Sequence, residues 1–187
     1  YDRLTSRMTY SVKAATFADL KPTWQKLFPE SAASNVFLAP EWQYNWWQIF
    51  SDGRELMLLS VGRDGVTAGV APLMRQDSSL YLVCDKDLFD YADIVVPRGQ
   101  EAPVVTAILD HLDSLDWKAL DLQPVLANSC VLGHLVPQAQ ERGWQVAISQ
   151  EDVSPRLELP SSWDEYLNLL DKKQRHELRR KIRRLHE

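Results

Sequence analysis

A chain of 187 residues is long enough for one ordinary domain with a real core. Apolar residues at 45% and charged residues at 25% give a globular balance, and no run approaches the ~20 apolar residues of a membrane span. Two cysteines are too few for a secreted disulfide scaffold, and Tyr1–Tyr10 lacks the apolar centre of a signal peptide. Cys84 and Cys130 stand far apart in apolar contexts and read as buried free thiols of a cytoplasmic protein. Net charge is −5 and unevenly spread. From Lys172 to Glu187, eight Lys/Arg against two Glu leave +6, so the rest of the chain carries −11.

Met8 is a candidate start, and Tyr1–Arg7 is set aside from the fold. Ser11–Ala15 alternates and predicts a first strand. Phe17–Phe28 predicts a helix capped by Thr16, with Phe17, Leu20, Trp24, Leu27 and Phe28 at helical spacing. Pro29–Asn35 reads as loop. A second helix runs from Pro40, a residue suited to a first helical turn, to Phe50. Its expected inner face is Trp42, Trp46, Ile49 and Phe50, with Trp47 beside it. Glu55–Val61, apolar on both faces, predicts a central strand. Asp64-Gly65 predicts a hairpin, and Val66–Met74 returns as the partner strand. Gly69 and Pro72 inside that strand predict a bulge or splay.

Leu80–Cys84 and Asp93–Val96 predict two further strands. Glu101–Leu115 is amphipathic, with Val104, Val105, Ile108, Leu112 and Leu115 as its inner stripe. Ala119–Leu122 predicts a short strand. Ser129–Arg142 predicts a helix stopped by Gly143 and kinked by Pro137. Trp144–Ser149 and Arg156–Leu159 predict the last strands. Ser162-Trp163-Asp164-Glu165 is a capping box that opens a helix to Leu170, and Asp171 recaps the chain before the basic helix. This order predicts an α/β chain with a mixed, largely antiparallel twisted sheet and helices on both faces, plus a C-terminal basic helix.

The order resembles the GNAT acyltransferase fold. The series FLAPEWQYNWWQIF, GRELMLLSVGRDGVTAGVAPL, DYADIVV, LDWKALDLQPV, EDVSPRLELPSSWDEYL and KKQRHELRRKIRR resembles the first half of FemAB-like proteins with two GNAT domains. Within them it looks most like the cellulose-biosynthesis-associated acetyltransferase branch. The resemblance implies an N-terminal GNAT-like domain over 8–160. Residues 161–187 would then hold a connecting helix and the first helix of a truncated second domain. It implies acyl transfer, with acyl-CoA as donor in the full-length protein and a small-molecule, polysaccharide or cell-wall amine or hydroxyl as acceptor. The narrow stripe Leu178, Ile182 and Leu185 would be covered by that second domain.

A GNAT donor site needs a Gly-rich turn that brings backbone N–H groups to a diphosphate. The corresponding stretch, VVPRGQEAPVV from Val95 to Val105, has one glycine, two prolines and an anion at Glu101, so no cofactor is expected on this half. Of the tryptophan helix, Tyr44 and Trp47 lie off the expected core face and are the ligand candidates for stacking on a sugar or base. Asp85, Asp87, Asp90 and Asp93 form an acidic loop whose spacing fails the EF-hand pattern. The family's DYxD piece makes Asp90, Tyr91 and Asp93 candidates for an acceptor cleft. Four histidines show no metal-ligand spacing, and no nucleophile elbow, P-loop or zinc motif is present. Catalytic residues are not assigned. Lys172, Lys173, Arg175, Arg179, Arg180 and Arg183 would contact phosphates if the helix bound RNA. That alternative makes the chain a non-catalytic docking module for RNA or an acidic partner. The acidic remainder repels polyanions and favours packing of the helix on protein instead.

Overall fold

The computed structural model describes residues 9–31, 34–153, 155 and 157–186. Met8, Arg156 and Glu187, which fall within expected elements, lie outside the described residues, as do 32–33 of the expected loop. The chain divides into two compact units, Tyr1–Val146 and Ala147–Glu187.

The first unit is built on a five-stranded sheet of order β1-β2-β3-β4-β5, with β1 Tyr10–Ala14, β2 Glu55–Arg63, β3 Val66–Gln76, β4 Ser79–Leu82 and β5 Ala119–Asp121. All neighbours are antiparallel except β4 and β5, which are parallel. This is the mixed, largely antiparallel sheet expected from the sequence. Asp64 and Gly65 both take positive φ, 50° and 86°, as the tight turn joining β2 to β3 requires.

Gly62 pairs with Thr67 while Val61 pairs with Gly69, so Ala68 is the extra residue of a bulge. Beyond it, Gly69, Ala71, Leu73 and Arg75 share one face with Val61, Leu59, Met57 and Glu55. Helix α3, Glu101–Asp113, lies across that face and buries Val104, Val105, Ile108, Leu109 and Leu112. On the opposite face Leu58, Val70 and Met74 are buried, and helix α1, Phe17–Leu27, packs on β3. Helix α2, Pro40–Phe50, packs on α1 and on the 3₁₀ turn Val36–Leu38.

Helix α1 opens on a reciprocal cap. Thr16 Oγ1 accepts the Asp19 N–H and Asp19 accepts the Thr16 N–H. The Thr16 hydroxyl also donates to that carboxylate and holds its pKa below the usual value. Trp24, fully buried, donates its indole N–H to the Leu38 carbonyl at 2.9 Å and ties α1 to the chain entering α2. Trp24→Phe keeps an aromatic ring but removes this donor and leaves a small void. It should cost about 2–3 kcal/mol, read in a urea titration followed by far-UV dichroism.

The predicted helix at Ser129–Arg142 is two pieces, a π-helical turn at Val131–Leu135 and helix α4, Val136–Glu141. Pro137 has no N–H to give the preceding turn, which widens instead of continuing as α-helix. Gly143 ends it at φ 82°.

Three expectations are corrected. Asp93–Val96 is not a strand and keeps a single bridge, Val70 to Val95. Trp144–Ser149 and Leu157–Leu159 are irregular, because alternation supplies an apolar face but does not by itself secure the backbone pairing that makes a strand. The inner face of α2 is also narrower than predicted: Trp46 is buried, whereas Ile49 is 67% exposed and Trp42 and Phe50 are exposed. Because α2 rests on another helix and a turn, Pro40, Gln43 and Trp46 are its buried residues.

In the second unit, Ser162 caps helix α5, Trp163–Leu169, by accepting the Glu165 N–H. Asp171 and Gln174 exchange side-chain-to-backbone hydrogen bonds at the start of helix α6, Lys172–His186. No described helix is long and apolar enough to cross a membrane.

Candidate functional site

Proline 72 decides where the site forms. The Pro72 carbonyl accepts the Val83 N–H at 2.8 Å, so its backbone polar groups face β4, yet its nitrogen has no hydrogen to return. The ladder ends there. Two residues along β3, Val70 exchanges both hydrogen bonds with Val95, at 2.8 and 2.9 Å. Between Val83 and Val95 the chain makes an excursion away from the sheet, and this excursion carries Asp85, Asp87, Asp90, Tyr91 and Asp93.

Its entry is held by Asp85. One carboxylate oxygen accepts the Asp87 and Leu88 N–H groups at 2.9 and 2.8 Å, and the other accepts the Trp46 indole N–H. Phe89 is buried against Phe37, Trp42 and Trp46. Its exit is held by Asp93. The Asp93 carboxylate accepts the N–H groups of Cys130 at 2.8 Å, Val131 at 3.1 Å and Ile94 at 2.9 Å. Burial pushes its pKa up to about 6, against those bonds and nearby His134, which pull it down. The Ala92 N–H bonds the Pro124 carbonyl, and the Cys84 thiol donates to the Gln123 carbonyl at 3.1 Å. Burial pushes the Cys84 thiol up to about 12 and raises Cys130 as well, so both are poor nucleophiles at neutral pH. Both cysteines are free.

Held at both ends, the excursion presents exposed Asp87 and Asp90 and half-buried Tyr91 at the surface. Tyr91 meets Phe37 edge-on at 6.3 Å, and Phe37 meets Trp42 edge-on at 5.3 Å. Phe37 is fixed from behind, its carbonyl accepting from the Gln43 amide and its N–H donating to Asn35. The result is an aromatic shelf beside carboxylates. Such a surface suits a ligand that stacks and carries an amine or hydroxyls.

The structure therefore joins Tyr91 to Trp42 through Phe37, and leaves Asp90 exposed next to Tyr91 in the chain. Asp93 faces inward as an anchor. Tyr44 sits on the α1 side of its helix, edge-on to Phe17 at 5.7 Å, and Trp47 is half-buried against the core. Trp42 is the shelf residue that helical spacing assigns to the core. No local signal separates it from Trp46: the packed side of α2 is marked by Gln43, a polar residue wholly buried and bonded to the Phe37 carbonyl, and that burial is visible only in the structure.

The first turn of α3 does not fit a diphosphate. The Arg98 and Gln100 N–H groups bond the Glu30 and Pro97 carbonyls, Pro103 has none, and Glu101 places a negative charge in the turn. No group of three or more His, Cys, Asp or Glu able to hold a metal occurs among the described residues. In the second unit, Lys172, Lys173, Arg179 and Arg183 are exposed, Arg175 donates to the Leu170 carbonyl and Arg180 pairs with Glu177. Leu178 lines an open apolar cleft of about 480 Å³ with Leu157, Leu159, Trp163 and Tyr166.

No family model and no curated protein matches the chain. Solved structures do. One is glucosamine-6-phosphate N-acetyltransferase from Arabidopsis thaliana, 14% identical with a TM-score of 0.43, over 78% of this chain and 98% of that one. Another is an integron cassette protein from the mobile metagenome of V. cholerae, 14% identical with a TM-score of 0.40, over 81% and 93%. Similarity at that level carries no functional argument for this chain.

Proposed function

We propose that the first unit is the acceptor-shaping half of a two-domain, FemAB-like acyltransferase of GNAT fold, acting in the cytoplasm. In this reading an acyl group passes from acyl-CoA to an amine or hydroxyl on a small-molecule, polysaccharide or cell-wall acceptor. The donor is held by a second GNAT-like domain, of which residues 161–187 are the beginning. Catalytic gain comes from holding donor and acceptor together and stabilising the developing oxyanion.

One observation supports the reading above the others: the excursion between Val83 and Val95 sets Tyr91, with exposed Asp90 next to it in the chain, against the Phe37–Trp42 shelf. Tyr44 and Trp47 would extend acceptor contacts along α2, and Asp93 would hold the excursion in place. The α3 turn, with its proline and its glutamate, is the reason for assigning the donor elsewhere.

Calorimetric titration of acetyl-CoA tests the assignment. The 187-residue chain should give no binding heat at about 100 µM ligand, and a polypeptide carrying the second domain should bind with a Kd on the order of 10 µM. Binding of that strength by the 187-residue chain alone would overturn the division of labour.

A further inference from the structure

The face of the sheet that α3 covers is not covered to its end. Helix α3 stops at Asp113, and beyond its last turn an open cleft of about 360 Å³ remains over the start of β2 and the end of β3. Met57 and Leu59 form its floor, and His111 and Leu115 form the helix-side wall. At the rim stand Glu55 and Arg75.

Those two residues are direct cross-strand partners, so their side chains emerge on the same face. Oppositely charged neighbours in that register ordinarily pair. Here Arg75 instead donates from Nη2 to the Asp116 carbonyl at 3.0 Å. The Glu55 carboxylate has no hydrogen bond or ion pair among the described residues. The cleft thus keeps a cation and an anion apart over an apolar floor, with room for a small ligand.

We propose that this cleft binds a small aliphatic α-amino acid of about leucine size. Arg75 takes the α-carboxylate through its planar fork, Glu55 takes the α-ammonium, and Met57, Leu59 and Leu115 take the side chain. A plain fatty acid would engage only Arg75 and a plain amine only exposed Glu55. The zwitterion satisfies both rim charges at the spacing one cross-strand pair provides. The site stands apart from the aromatic shelf and does not depend on the acyltransferase reading.

Calorimetry with L-leucine as the probe tests it, with 4-methylpentanoate and 3-methylbutylamine as the two half-ligands. L-leucine should bind with a Kd on the order of 0.1–1 mM, and each half-ligand should bind at least about tenfold more weakly. Arg75→Gln should weaken leucine and 4-methylpentanoate by roughly tenfold. Glu55→Gln should weaken leucine and the amine while leaving 4-methylpentanoate no weaker. Both positions are at the rim, and thermal melts will show that the variants fold. Leucine should also shift the Met57 methyl resonance, which reports the place of binding whatever the affinity. No leucine binding at about 10 mM overturns the proposal. So does leucine binding no tighter than either half-ligand, or binding indifferent to both substitutions.

Discussion

Asp93→Ala should destabilise the first unit by roughly 2–4 kcal/mol, seen as a fall of roughly 5–12 °C in Tm. The carboxylate is the acceptor for three buried N–H groups, those of Ile94, Cys130 and Val131, and alanine leaves all three without a partner. Water cannot reach them readily, because Asp93 is 1% exposed. Removing a buried charge offsets part of the loss but not three orphaned donors.

The same residue makes stability depend on pH. Its pKa rises from 3.8 to about 6 on folding, chiefly through burial. A raised acid pKa means that the folded state binds the proton more tightly than the unfolded chain does. The stabilising contribution is therefore fully present below pH 3.8 and is lost as pH climbs through about 6. Asp93→Asn removes the titration. Between pH 5 and pH 8 the parent chain should lose ~1 kcal/mol more stability than the Asn variant. Urea midpoints of both proteins at the two pH values decide it. Equal losses would mean that Asp93 stays ionised throughout, with its three N–H donors and His134 outweighing burial.

Asp93 also shows what a sequence conceals. Features that depend on neighbours a few residues apart were legible: the Thr16–Asp19 cap, the Asp64-Gly65 turn, and the Ser162 and Asp171 caps. The splay at Gly69 and Pro72 was legible too, because a glycine and a proline inside a strand each disturb the ladder in a known way. What the splay releases was not. Asp93 bonds Cys130 and Val131, far along the chain, and nothing local distinguishes it from the solvent-facing Asp87 and Asp90. Trp42 failed as a core residue for a related reason. Helical spacing gives the apolar arc of α2, but how much of the arc is buried depends on its support, here a helix and a turn. The juxtaposed but unpaired charges of Glu55 and Arg75 required both the register of β2 on β3 and the end point of α3, neither of which is a local property.

Gly69→Val should prevent the first unit from folding stably, and Gly69→Ala should cost about 2–3 kcal/mol. A Cβ at Gly69 would lie 2.7 Å from Val104 Cγ1 and 3.4 Å from the Val95 carbonyl oxygen. Val104 is wholly buried in the first turns of α3, so it has no solvent to retreat into. Either α3 lifts from the sheet or β3 bends away, and close-packed interiors resist both. Val104→Ala removes the methyl that the new Cβ would strike. The Gly69→Ala/Val104→Ala pair should therefore be less destabilised than the sum of its single variants by roughly 1–2 kcal/mol. Chemical denaturation of the four proteins measures that coupling, and strict additivity would show that α3 already yields at this contact. The consequence reaches the shelf. Val95, the second neighbour of the added carbon, is where the excursion rejoins β3, so a shifted α3 disturbs the bridge that returns Asp93 to its anchor. Loss of Tyr91–Phe37 contact in Gly69→Ala, followed by ring chemical shifts, would accompany the fall in stability, and rescue by Val104→Ala should restore both together.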